Sequence, residues 1–202
     1  MKIIIVRHGQ TKENVRKIVQ GSRNRLDRVG KKQAKALARA LRHEKIDTIY
    51  ASDFVRSQET TREIALHHPR AKVIYTKDLR EKNMGFFVGR SLLKHKVARV
   101  KSGLPFYKFR TPRGESLLDV QKRVVAFYKR LTKTPKKETI LLVSHQGPIV
   151  SLLLHLLKKP FDRYERYRME NTAITVISID AKRKSRIHHL AKSDHLTETG
   201  LK

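Results

Sequence analysis

Ile3-Ile4-Ile5-Val6-Arg7-His8-Gly9-Gln10-Thr11-Lys12-Glu13-Asn14 is the stretch whose reading decides the fold. Four β-branched apolar residues in a row read as a strand buried on both faces, which belongs in a parallel sheet covered by helices. The run ends at a cation, an imidazole and a glycine, which are poor core material. The C-terminal end of such a strand is where open α/β sheets receive ligands. Arg7 offers a planar fork suited to phosphate or carboxylate. His8 can serve as base, ligand or nucleophile, and Gly9 lets the backbone turn tightly beside what binds there.

The pattern returns late in the chain. Thr139-Ile140-Leu141-Leu142-Val143 reads as a second buried strand and runs into Ser144-His145-Gln146-Gly147. If the two strands are parallel neighbours, His8 and His145 meet at one sheet edge. Between them, Thr48–Ala51 and Lys72–Tyr75 read as strands. A helix is expected from about Gly30 to His43, capped by Asp27, and another from about Leu117 to Leu131 with Val120, Val124, Phe127 and Leu131 inward. Pro148–Leu157 reads as an internal helix with a structural His155. Asn171–Ile179 reads as a strand, Arg186–Leu190 as an edge strand, and Lys182-Arg183-Lys184 as the turn between them. The expectation is a single α/β domain over residues 1–202, a three-layer α/β/α sandwich around a mostly parallel central sheet. Residues 91–110 read as a lid-like insertion, and the tail is expected to fray from about residue 192.

Arg7-His8-Gly9-Gln10-Thr11 resembles the signature of the histidine phosphatase superfamily, which includes the phosphoglycerate mutases. Later segments match that family in order. Ser52-Asp53-Phe54-Val55-Arg56-Ser57-Gln58-Glu59-Thr60 resembles its Ser-x-x-x-Arg-x-x-x-Thr element, and Ser52 or Asp53 is expected to cap the helix that starts there. Arg56 then lies in the first turn, at the positive end of the dipole, a position disfavoured for a cation unless an anion joins it. Glu81, Gly85 and Gly89 match a Glu-x-x-x-Gly-x-x-x-Gly element, and Gly114-Glu115-Ser116 a Gly-Glu-Ser element. The usual His-Gly-Gly is His145-Gln146-Gly147 here.

The resemblance implies a metal-independent phosphomonoesterase that works through a phosphohistidine on small phosphorylated metabolites. His8 is implied as nucleophile, Glu81 as proton donor, and Arg7, Arg56 and His145 as the groups that hold the phosphoryl oxygens. Asn14, Gln20, Gly21 and Gln146 are implied in substrate binding. No metal and no cofactor are expected. Phosphoglycerate mutase-type transfer stays open. The phosphatase reading is favoured because Asn83, Thr11 and Arg90-Ser91-Leu92 depart from the mutase pattern. The Leu104–Phe109 aromatics lie in the insertion, either lining a substrate pocket or forming core under a loop.

Composition bounds the partners. Lys and Arg number 47 against 18 Asp and Glu, a formal charge of +29. Such a field attracts anions. A basic nucleic-acid-binding protein on this fold is the alternative of a different class, although aromatics are sparse and no nucleic-acid motif is present. The chain has no cysteine, so disulfides and thiolate chemistry are excluded. No signal peptide is apparent and the longest apolar run, Ile149–Leu157, is too short to span a bilayer. A cytoplasmic location and no membrane partner are therefore expected. Oligomeric state is unreadable.

Overall fold

The computed structural model describes residues 1–201. The opening run forms β1 (Lys2–Arg7), followed by a short helix α1 (Lys12–Arg16) and the longer α2 (Arg28–Leu41). Next come β2 (Thr48–Ser52), α3 (Val55–Ala65) and β3 (Lys72–Thr76). Helices α4 (Leu92–Lys101) and α5 (Leu117–Leu131) precede β4 (Thr139–Ser144) and α6 (Gln146–Leu156). The hairpin β5 (Ile174–Ile179) and β6 (Ser185–Lys192) and a final turn α7 (Asp194–Thr197) complete the chain. Among the described residues no helix is long and apolar enough to cross a membrane.

The six strands form one sheet in the order β3-β2-β4-β1-β5-β6. The β3-β2, β2-β4 and β4-β1 pairs are parallel, and the last two pairs are antiparallel. The period of two along β1 and β4 divides the core into two layers. Ile3, Ile5, Ile140 and Leu142 pack with Val124 and Phe127 of α5 and Ile149, Leu152 and Leu153 of α6. Ile4, Val6, Leu141 and Val143 face the other way, onto Leu37, Ala38 and Leu41 of α2 and Ile64 of α3. Each of these aliphatic side chains contributes roughly 1.5–3 kcal/mol by leaving water, so the central strands anchor the domain. Mixed α/β architecture with helices on both faces is what the two apolar runs imply.

Several boundaries differ from expectation for local reasons. Helix α6 begins at Gln146, not Pro148, with His145 as its N-cap; proline is compatible with a first helical turn because the donor it lacks is one the turn leaves unpaired. His155 points to solvent instead of serving the interior. The polar segment between β1 and α2 holds α1, closed by a capping box between Thr11 and Asn14. Helix α3 is capped by Phe54, not by Ser52 or Asp53, whose side chains are used elsewhere. The tail does not fray at residue 192. There β6 ends and α7 packs on α2, with Leu196 buried, His195 bonded to Thr172 and the Leu201 carbonyl accepting from Gln33. In the 91–110 segment, Phe106 and Tyr107 join a buried cluster with Leu117, Phe161 and Tyr164.

Candidate active site

Parallel pairing of β1 with β4 sets Arg7 opposite Ser144. The next residue on each strand is a histidine, and the His8 amide donates to the Ser144 carbonyl at 3.1 Å. The two imidazoles stand with ring centroids 5.0 Å apart, both fully buried. Helix α3 starts from the C-terminal end of β2 at the same edge, and its first turn brings in Arg56.

The proton on His8 is fixed by its surroundings. Nδ1 lies 2.7 Å from the Gly9 carbonyl, which can only accept. Nδ1 therefore carries the hydrogen and Nε2 the lone pair. Arg56 Nε donates to that Nε2 at 3.2 Å, and Arg56 Nη1 donates to the Gly21 carbonyl at 2.7 Å. Burial pushes the His8 pKa well below its ordinary 6.5, reinforced by the charges of Arg56 and Arg7. The ring is neutral at physiological pH, as a nitrogen nucleophile must be. Support comes from behind: Asn171 Nδ2 donates to the His8 carbonyl and the Gly9 amide donates to Thr60 Oγ1. Gly9 is required less for a turn than for close approach. A Cβ there would stand 2.5 Å from the Gly30 carbonyl in the first turn of α2.

His145 is oriented by two serines. Its Nε2 lies 2.8 Å from Ser52 Oγ and 3.3 Å from Ser57 Oγ. Ser52 Oγ accepts from the Phe54 amide, so its own hydrogen is free to point at Nε2. With that hydrogen given to Nε2, the imidazole hydrogen lies on Nδ1, which is buried and has no hydrogen-bond partner among the described residues. Burial, then the charge of Arg56, holds the His145 pKa well below 6.5. Arg7 Nε and Gln146 Nε2 are likewise buried and unpartnered. Three donors in this state cost free energy unless something accepts from them. Arg56 is in a similar condition: 1% exposed, with no carboxylate hydrogen-bonded to it, its pKa is lowered by burial to about 10. Buried donors without acceptors, beside two buried guanidiniums that among the described residues bond only to His8 and to backbone carbonyls, have the chemistry an anion would satisfy.

Glu81 reaches this centre from the segment after β3. Its Oε1 accepts from the Lys82 amide at 2.8 Å and from the Gly147 amide at 3.0 Å, in the first turn of α6. A Cβ at Gly147 would lie 2.2 Å from Glu81 Oε1, so glycine at 147 is what admits the carboxylate. Beyond Glu81 opens a cavity of about 370 Å³ lined in part by Gln20, Gly21, Phe54, Arg80 and Lys82.

The remaining residues singled out in the sequence are distributed unevenly. Gly21 orients Arg56 through its carbonyl, and Gln20 presents a buried, unpartnered Oε1. Gln146 Oε1 accepts from the Met169 amide while Arg7 Nη1 donates to the Met169 carbonyl, so the peptide groups on either side of Met169 are both held. The oxygen of Asn14 is engaged in the Thr11 cap, leaving only its nitrogen for another contact, and its described hydrogen bonds reach Thr11, not His8 or Arg56. Ser52, Ser57, Thr60 and Asn171 were missed as positioning residues. Ser52 stood in the quoted motif but looked like a helix cap. A serine in the first turn of α3 and an asparagine just ahead of a strand carried no signal of their own.

The model of the histidine phosphatase superfamily (branch 1) matches residues 3–191. The chain is 30% identical to the broad-specificity phosphatase YOR283W of Saccharomyces cerevisiae, over 88% of this chain and 79% of that one. It is 30% identical to phosphoglycerate mutase-like protein 4 of Arabidopsis thaliana, over 98% of this chain and 88% of the relative. The solved structure of Bacillus stearothermophilus YhfR superposes with a TM-score of 0.87 at 23% identity, covering 96% of this chain and 98% of that one. The strand-borne histidines, the first-turn arginine and the matched family model lead to one conclusion: this chain is a member of the histidine phosphatase superfamily.

Proposed function

We propose that the chain is a phosphomonoesterase acting on small phosphorylated metabolites through a phosphohistidine. The observation that carries the reading is the fixed tautomer of His8, with Nδ1–H on the Gly9 carbonyl and the Nε2 lone pair beside Arg56. In the first step Nε2 attacks phosphorus, a P–N bond forms and the P–O bond to the alcohol breaks. Arg56, Arg7 and the Nδ1–H of His145 take the charge on the equatorial oxygens. Glu81, in its protonated form, gives its proton to the departing oxygen. In the second step Glu81 takes a proton from water, the water oxygen bonds to phosphorus, and the P–N bond breaks to return neutral Nε2 and release phosphate. Asn14, Gln20, Gly21 and Gln146 are proposed to contact the substrate.

The cavity beyond Glu81, about 370 Å³, suits a small leaving group. The phosphatase reading is supported by the broad-specificity phosphatase among the relatives. A panel of phosphomonoesters assayed with the wild type and His8→Ala, with and without chelator, tests it. Chelator-insensitive release of phosphate that His8→Ala abolishes is expected. Transfer to a second hydroxyl of the substrate without net phosphate release would instead identify a mutase, and turnover by His8→Ala at the wild-type rate would overturn the mechanism.

A further inference from the structure

Helix α4 is turned inside out. Its inner side rests on the protein through His95, which packs 5.2 Å from the Phe87 ring and 5.6 Å from the Phe109 ring. The helical period puts Leu93, Val97 and Val100 together on the opposite side. They are 67%, 45% and 65% exposed. A helix of a water-soluble protein normally turns such a stripe toward the core. Leu92, the first residue of the helix, and Leu104, beyond its C-terminal end, are exposed, and Val88, which lines the Glu81 cavity, is exposed as well. The stripe is bordered by cations. The helix carries Lys94, Lys96, Arg99 and Lys101 and no acidic residue.

We propose that α4 is an interfacial anchor, laying Leu93, Val97 and Val100 into the surface of an anionic phospholipid bilayer. Charge selects this occupant. A second copy of the chain would bring another +29 against the same cationic border, which like charge opposes. Lipid phosphates complement the border while the acyl boundary accepts the stripe, and both terms are needed for stable surface binding. The expectation of no membrane partner rested on the lack of a spanning segment, and a helix lying in the interface needs none.

The chain has no tryptophan, so Leu93→Trp supplies a single emitter on the stripe. Leu66→Trp, at a position 72% exposed at the end of α3, supplies a reference on another element. Vesicles of phosphatidylcholine alone and of phosphatidylcholine with phosphatidylglycerol are added at about 0.15 M salt. A blue shift and protection from acrylamide are expected for Leu93→Trp on the anionic vesicles only, and no shift for Leu66→Trp. In co-sedimentation, Leu93→Ser/Val100→Ser should weaken binding at least about tenfold, because the buried apolar area is lost. Lys31→Ser/Lys35→Ser, on the exposed face of α2, should weaken it less than about threefold, as distant charge alone would. Equal shifts at both tryptophans, equal losses in both serine pairs, or no binding at all would overturn the proposal. So would a vesicle-free blue shift accompanied by dimers in sedimentation velocity, which would assign the face to a second copy.

Discussion

Replacing Arg56 by methionine separates a residue held for its ligand from one that holds the fold. The side chain is the largest fully buried one in the chain. Burial lowers its pKa from 12.5 to about 10, and at 1.36 kcal/mol per pKa unit the charged form is disfavoured by about 3 kcal/mol. Methionine fills comparable space without charge and relieves that cost. It also forfeits the bonds to His8 Nε2 and the Gly21 carbonyl, at about 1.5–3 kcal/mol each for bonds from a charged donor. The opposing effects offset one another in large part, so urea unfolding without ligand should place Arg56→Met less than about 3 kcal/mol below wild type. Phosphate or vanadate should behave differently. At one hundred times its Kd an anion stabilises the wild type by about 2.7 kcal/mol, and this increment should vanish in the variant. Loss of more than about 3 kcal/mol without ligand would show that Arg56 is a structural anchor. Equal stabilisation of both proteins by phosphate would show that the anion binds elsewhere. Either result refutes the assignment of Arg56 as an anion ligand.

Other expectations follow from the same geometry. In Gly147→Ala the new methyl, 2.2 Å from Glu81 Oε1, displaces the carboxylate; kcat/KM, which reports the phosphorylation step, should fall about 10²-fold for an alkyl phosphate and much less for a nitrophenyl phosphate, whose leaving group needs no proton. Ser52→Ala removes the hydroxyl bonded to His145 Nε2, and kcat/KM should drop about fivefold, as expected for about 1 kcal/mol, with the urea midpoint little changed. Stability should depend on pH through the two imidazoles, which burial keeps neutral in the folded chain. Unfolded, they protonate near 6.5, so below that pH the unfolded state binds more protons and stability falls as pH falls. The slope is up to about 1.4 kcal/mol per pH unit for each histidine. The urea midpoint should therefore decline between about pH 7.5 and pH 5.5, with His95, its pKa lowered by burial to about 4, adding to the slope, and less steeply in His145→Asn than in the wild type; a flat midpoint would contradict the burial of these rings.

The sheet was legible because its central strands are unusual as sequence. Ile3–Val6 and Ile140–Val143 are apolar at every position, which only a strand covered on both faces requires, and each ends abruptly in a histidine. Parallel neighbours then had to bring His8 and His145 together. Arg56 was legible from its awkward position in a first helical turn. The network behind these groups was not, because its members have ordinary local uses. Ser52 read as a cap until its hydroxyl was found on His145, and Asn171 as the start of a strand until its amide was found on the His8 carbonyl. Direction was also hidden: periodicity marks the stripe of α4 but cannot say which way it faces. The ordering of α7 depends on contacts with α2 that span more than 150 residues of sequence, beyond any local signal.

The central claim is that His8 Nε2 becomes covalently phosphorylated during turnover. Rapid quench of the wild-type enzyme with a radiolabelled phosphomonoester tests it most directly. The mechanism predicts an acid-labile, alkali-stable label on His8, formed at least as fast as turnover, lost on chase and absent from His8→Ala. Steady hydrolysis with no label on the chain, or a label that persists in His8→Ala, would contradict it.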